Sequence, residues 1–329
     1  MSRAGTFATL VGGLFTTSVG QASTTAASLE SSPWRGSTLT YEHVASAISA
    51  SRSAEPTYNP YYAHQLSIRA SYHFSELFGA SAELGVSQEL TDADDTTSKH
   101  EALLDDVVLR GTLGGISLAG LELSASLSLA LPFSKASAAE SRIVAVSPAL
   151  QVTKSFDVAS GLELSLRTRA TIFTHRYTTL QLDVPWARCD DDSFECGSYR
   201  HTGDRNPASQ LDLGGGVDLQ VTEELGFSAS YQVRRTQLYA IHEARVQTLT
   251  GPAQTSDARD DVSARYSHTF ALDGTYSVSK ELGVTLGLVT AHPQLKPDST
   301  YRVPLFNRFT QLSLDLTVSL DEVASRLGG

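Results

Sequence analysis

The chain has 329 residues, of which 41% are hydrophobic, and a formal net charge of −11. This acidic balance argues against a nucleic-acid-binding protein, which needs a basic face to meet phosphates. The sequence contains no run of eighteen apolar residues that could form a membrane-spanning helix. The strands of a membrane barrel alternate apolar and polar residues, so a barrel would show no such run either.

The N-terminal segment has the features of a secretory signal peptide. Arg3 is the only charged residue among the first 22, an apolar run follows over 7–19, and Gly20-Gln21-Ala22 offers small residues to a signal peptidase. We therefore expect residues 1–22 to be cleaved and residues 23–36 to form a periplasmic segment. The alternative is an unstructured tail of a cytosolic protein. The low content of two Cys and one Met fits an oxidising compartment better.

Four short polar turns recur along the chain, at 75–79, 156–161, 222–226 and 279–283, and each ends in Gly. Apolar and polar residues alternate on both sides of each turn, and a period of two on either side of a short turn predicts a β-hairpin. The connections between these hairpins are longer, polar and often acidic. They span 91–101, 134–142, 176–208, 242–263 and 293–306.

These turns and loops divide the chain into twelve predicted strands. The strands are expected near 37–46, 62–74, 80–90, 103–113, 120–133, 143–156, 161–175, 209–221, 226–240, 264–278, 283–292 and 307–320. The even count places both termini on the side of the short turns. The pattern predicts an all-β fold, a closed antiparallel up-and-down transmembrane barrel over 37–320 with a C-terminal tail at 321–329. The alternative is a secreted β-sandwich, in which the Leu-rich faces would form a core.

The alternation, the turn repeats and the unequal connections resemble bacterial outer-membrane β-barrel proteins of the porin and transporter class, over roughly 37–320. The resemblance implies an outer-membrane location, contact with outer-membrane lipid, periplasmic turns, extracellular loops and assembly by the barrel-assembly machinery. One feature departs from the class. Such barrels typically end on an aromatic residue, whereas Leu320 stands there and a tail follows it.

If the Leu faces meet lipid, the opposite faces line the lumen. Counting residues from the turns places six of the predicted inward side chains near half the height of the barrel: Arg69, Asp106, Arg167, Arg234, Asp273 and Asp315. The predicted lumen-lining set is Arg69, Glu83, Asp106, Arg110, Glu122, Glu163, Arg167, Arg169, Asp212, Asp218, Arg234, Asp273 and Asp315. A mixed-charge constriction would select small polar or anionic solutes. A cross-lumen network of ion pairs that only stiffens the barrel explains the same residues equally well.

The remaining candidates give weaker signals. Cys189 and Cys196 lie in the longest loop and predict a local disulfide. The acidic residues between them lack the spacing of a calcium loop, so we expect no metal and no cofactor. His73 and Ser75 have the spacing of a barrel phospholipase, but on the polar face and at the turn end, so we expect no enzyme activity. The sequence favours a channel for passive or selective passage of small polar or anionic solutes. The alternative is a structural or surface-interaction barrel with a closed lumen and functional extracellular loops, and a lipid-acting barrel enzyme is the third.

Overall fold

The computed structural model describes residues 32–47, 61–91, 100–183, 199–240, 244–246, 254–256, 263–296 and 299–328. The predicted signal peptide and the predicted disulfide between Cys189 and Cys196 lie outside these residues. Both therefore stay predictions.

Twelve long antiparallel strands form a single closed barrel, as the sequence pattern predicts. Each long strand pairs with its neighbour along the chain, and the first and last strands pair over nine residues from Thr38–Ser319 to Ser46–Gln311. This last pairing closes the ring and excludes an open sandwich. The strands of the ring are β1 (Thr38–Ser46), β2 (Tyr62–His73), β3 (Phe78–Glu89), β5 (Val107–Leu118), β6 (Leu121–Leu131), β7 (Arg142–Phe156), β8 (Gly161–His175), β11 (Pro207–Gln220), β12 (Leu225–Leu238), β15 (Ala264–Ser277), β16 (Leu282–Pro293) and β17 (Thr310–Ser319).

One end of the barrel carries only short turns, and the other carries the long connections. The tightest turn consists of Ala119 and Gly120, which both have positive φ (53° and 75°), as a two-residue hairpin turn requires. We call the two ends of the barrel the turn end and the loop end. The strand predicted at 103–113 is divided into β4 (Ala102–Leu104) and β5. The loop end also adds elements that the alternation did not predict: α1 (Lys135–Ala139), β9 (Thr179–Asp183) with β10 (Tyr199–Arg205), and β13 (Ala244–Val246) with β14 (Gln254–Ser256).

The barrel is covered on its outside by large apolar side chains. On β17, Leu312, Leu314 and Leu316 are 41–45% exposed, while the side chains between them face the interior. A folded chain that leaves such a belt exposed needs an apolar surrounding, which a bilayer supplies. The Leu-rich faces are therefore an outer surface rather than a core. No helix in the described ranges is long and apolar enough to cross a membrane.

The C-terminal tail forms a helix, α2 (Leu320–Gly328), directly after β17 at the turn end. The backbone amide of Leu320 donates to the Ser37 carbonyl at 2.9 Å, and the Gly36 amide donates to Asp321 Oδ2 at 3.3 Å. Arg326 pairs with Glu281 at 3.1 Å. The helix thus contacts the segment before β1, next to the seam with β17, and the turn between β15 and β16. The sequence pattern predicts no structure for this tail.

Candidate functional site in the barrel lumen

Two of the predicted lumen arginines form ion pairs across neighbouring strands. Arg69 on β2 donates to Glu83 on β3 at 2.8 Å, and the two residues lie opposite each other in register. Arg234 on β12 pairs with Asp212 on β11 at 2.8 Å, again between register partners. Gln210 also donates to both carboxylate oxygens of Asp212. These four charges satisfy each other within the wall of the barrel.

Three other arginines lack such partners. In the described part of the chain, Arg110, Arg167 and Arg169 form no ion pair with a carboxylate. Arg110 donates to the Ser128 hydroxyl at 3.2 Å. Arg169 lies opposite Asp212 in register, but Asp212 is bound by Arg234 and Gln210. Within the described residues, the three cations are therefore not neutralised by a direct ion pair.

These three arginines line one cavity of about 270 Å³ on the inner wall. The polar side chains around them are largely hydrogen-bond donors or hydroxyls, which suit an anionic or hydroxylated solute. They belong to β2, β5, β6 and β7 and include His73, Thr112, Ser124, Ser126 and Gln151. The turn after β2 contributes Glu76 and Leu77, so the cavity extends towards the turn end.

Carboxylates gather on another part of the wall. Glu42 on β1 and Asp315 on β17 lie opposite each other in register, and both feel the charge of Asp273 on β15. Gly287 lies on β16, between β15 and β17, and its missing side chain leaves space for Asp273 and Ser313. A Cβ there would lie 2.8 Å from Asp273 Oδ1 and closer still to the Ser313 hydroxyl. The acidic group on β15, β17 and β1 is thus separated in strand order from the arginines on β5 and β8.

The turn end of the lumen carries a second acidic group. Glu163, the third residue of β8, feels the negative charges of Asp218 and Glu122. Asp218 lies opposite Glu163 in register, and Glu122 is the second residue of β6. A solute that reaches the arginine cavity from the turn end passes these carboxylates.

Asp106 lies nearer the loop end than its predicted mid-depth position, because the strand predicted at 103–113 is interrupted after Leu104 and β5 begins only at Val107. Its carboxylate accepts hydrogen bonds from the Ser134 amide at 2.9 Å and from the Ser137 hydroxyl, which fix the start of α1. Arg142 donates to Asp106 at 2.9 Å and also pairs with Glu140. We call Asp106, Ser137, Glu140 and Arg142 the loop-end clamp. It holds α1 against the barrel at the loop end.

The acidity of Glu140 reflects its position in the clamp. Burial raises the pKa of this carboxyl, but interactions with His175 and Arg142 outweigh burial and hold the pKa below its usual value of 4.5. A carboxyl whose pKa is lowered on folding stabilises the fold above its unfolded pKa. This contribution is lost as the pH falls below 4.5 and through the folded-state pKa.

Arg142→Ala should lower the free energy of unfolding by about 3 kcal/mol, because it removes the cation that Asp106 and Glu140 share at the loop end. Lys135→Ala is the matched control. Its ion pair with Glu101, at 2.9 Å, is more exposed and should contribute no more than about 1 kcal/mol. Urea unfolding at pH 7 and at pH 3 measures both variants. Arg142→Ala should also reduce the loss of stability on acidification, and equal effects of the two variants would contradict the role of the clamp.

Sequence reasoning missed Glu42 and Arg142. Glu42 could have been found, because Thr38, Thr40 and Glu42 alternate with the outward Leu39 and Tyr41. Arg142 was assigned to a loop, and no local pattern shows that it binds Asp106, 36 residues earlier.

Of the two residues with phospholipase-like spacing, His73 and Ser75, the serine has a structural role. The Ser75 hydroxyl accepts hydrogen bonds from the amides of Leu77 and Phe78 at 3.3 and 3.0 Å, which stabilises the turn. His73 lines the arginine cavity at the turn end. Within the described ranges, no three His, Cys, Asp or Glu residues are grouped so that they could hold a metal ion.

No protein-family model and no curated protein matches the sequence. Among solved structures, an outer-membrane channel from Pseudomonas putida F1 is similar over 89% of this chain and 98% of its own, with 11% identity and a TM-score of 0.51. The NanC and KdgM porins each cover 86% of this chain and 98% of their own, with 10% identity and TM-scores of 0.43 and 0.42. The first of these likenesses supports the fold alone, and the predicted closed antiparallel β-barrel of the outer-membrane type is confirmed as a fold.

Proposed function

We propose that this barrel is a channel of the bacterial outer membrane for small polar solutes that carry an anionic group. The observation that supports it is the cavity formed by Arg110, Arg167 and Arg169, whose charges have no carboxylate partner in the described part of the chain. A network that only stiffened the barrel would pair its cations, as Arg69 and Arg234 are paired. Keeping three arginines close together without a direct ion pair costs free energy that a bound anion would offset.

The arginines and the carboxylates lie on different parts of the barrel wall, so an electric field runs across the lumen. The arginines on β5 and β8 attract the anionic group of a solute, while Glu42, Asp273 and Asp315 attract hydroxyl or cationic groups from the side. Such a transverse field orients a polar solute without binding it so tightly that passage stops. The similar structure from Pseudomonas putida F1 is called an outer-membrane channel, which agrees with this function.

A closed structural barrel is the second candidate, and the loop-end clamp favours it. The clamp and α1 occupy part of the loop end, and Ser137 is fully buried there. If α1 closes the lumen, function would lie in the loops. In either case we expect the protein to have no enzyme activity.

Single-channel recording of the refolded protein in a planar bilayer distinguishes the two functions. A channel should give stable conductance steps that prefer anions, and addition of a small carboxylate or phosphate solute should reduce the current of chloride. A barrel that inserts and remains heat-resistant but gives no steps would reject the channel. Arg142→Ala in the same assay reports whether the clamp closes the loop end, since its release should then produce conductance.

A further inference from the structure

Two histidines, two tyrosines and a glutamine form a polar cluster on the outer face of β1, β2 and β3. His43 and His64 lie opposite each other in register, and His64 lies opposite Gln88 on the next strand. Tyr41 and Tyr62 lie on the same face, with ring centroids 4.9 and 5.9 Å from that of His43. We call these five residues the outer histidine cluster.

The cluster lies at the upper edge of the apolar belt. Tyr62 is the first residue of β2 and Gln88 is next to last in β3, so the cluster is at the loop end. Towards the turn end the same face continues with Leu66 and Ile68, which are 48% and 46% exposed. In a bilayer this level is the boundary between acyl chains and headgroups, where polar and apolar groups of one lipid meet.

Hydrogen bonds hold both imidazole rings in place. The Tyr62 hydroxyl bonds to Nδ1 of His43 at 3.1 Å, and Nε2 of His64 donates to Oε1 of Gln88 at 3.0 Å. The Gln88 amide nitrogen is itself bound to the His100 carbonyl, which orients Oε1. The second nitrogen of each ring, Nε2 of His43 and Nδ1 of His64, has no hydrogen-bond partner in the described part of the chain.

We propose that the outer histidine cluster binds the phosphate of a membrane lipid headgroup. The two imidazoles lie 6.2 Å apart, centroid to centroid, on one face of the sheet, and each has one nitrogen without a hydrogen-bond partner among the described residues. When protonated, both nitrogens donate charge-assisted hydrogen bonds, which suit a phosphate. The apolar belt directly below would hold the acyl chains of the same molecule, so an anchored lipid fits this surface better than a free anion does.

The test uses the full chain refolded in uncharged detergent, with short-chain phosphatidic acid as the probe. Ring ¹⁵N signals of the histidines report contact with the phosphate, and a titration gives the affinity. The double variant His43→Phe/His64→Phe keeps the aromatic surface and removes the nitrogens. We expect it to bind at least about tenfold more weakly, as the loss of two charge-assisted hydrogen bonds implies.

His268→Phe is the matched control, because it removes another outward histidine that bonds to a tyrosine, Tyr231, at 2.6 Å. This variant should bind the lipid as the unmodified protein does. If the double variant does not refold to a heat-resistant barrel, His43→Gln/His64→Gln replaces it.

Three results would overturn the proposal. Equal affinity of the unmodified protein and the double variant would mean that the cluster only positions the barrel at the interface. Displacement of the lipid by inorganic phosphate at equal concentration would assign the site to a free anion. Sedimentation of the unmodified protein as a dimer and of the double variant as a monomer would assign the surface to a second copy of this chain.

Discussion

The double variant Arg167→Glu/Arg169→Glu should convert an anion-preferring channel into a cation-preferring one. Both residues line the cavity, and in the described part of the chain neither forms an ion pair with a carboxylate. The substitution changes the lumen charge by four units close to the path of the solute. We expect the anion-to-cation permeability ratio to fall by roughly fivefold or more, because field strength at short range controls selectivity. Reversal potentials under a salt gradient measure the ratio.

The control for this result keeps the change in net charge and moves it away from the lumen. Lys154→Glu/Lys280→Glu also changes the charge by four units, on exposed side chains near the turn end. Its permeability ratio should stay near that of the unmodified protein. If the two double variants shift the ratio equally, the effect comes from net charge, and the arginine cavity does not control passage.

Leu314→Arg should destabilise the barrel by about 2–4 kcal/mol, the cost of a cation on the lipid face near the bilayer midplane. Leu314 lies in the middle of β17 and is 43% exposed on the outer face. Reversible unfolding in lipid vesicles, followed by the loss of heat-resistant migration, gives the free energy.

Two further arginine variants on β17 distinguish the effect of depth in the bilayer from the effect of the added charge. Val318→Arg places the cation on the outer face near the turn end, where the cost should be about 0–1 kcal/mol. Gln311→Arg places it on the inner face. A cost for Leu314→Arg as small as that for Val318→Arg would mean that this face does not meet the hydrocarbon of a membrane.

Several contacts of the lumen could be predicted by counting from the turns. Arg69 and Glu83 lie at equal distances from the turn between β2 and β3, and Asp212 and Arg234 lie at equal distances from the turn between β11 and β12. Register in a hairpin is set by its turn, so these pairs follow from local sequence. The pairing of Glu42 with Asp315 does not, because it depends on closure of the ring between the two ends of the chain.

The contacts at the loop end could not be predicted from the sequence either. Asp106, Ser137 and Arg142 come together only because α1 folds back onto the barrel. The outer histidine cluster likewise needs three strands side by side before its side chains share one face. Isolated histidines carry no period, so no pattern in the sequence identifies such a group.

The sequence by itself determined the fold class, the strand count and the two faces of each strand, because a period of two fixes which side chains share a face. Only the tertiary structure decided which lumen charges are neutralised and which remain available. Pairing depends on distances between strands that are far apart in the chain, and those distances exist only after the barrel closes. The arginines at 110, 167 and 169 resemble those at 69 and 234 in sequence, and they differ because, among the described residues, no carboxylate lies close enough to form an ion pair with them.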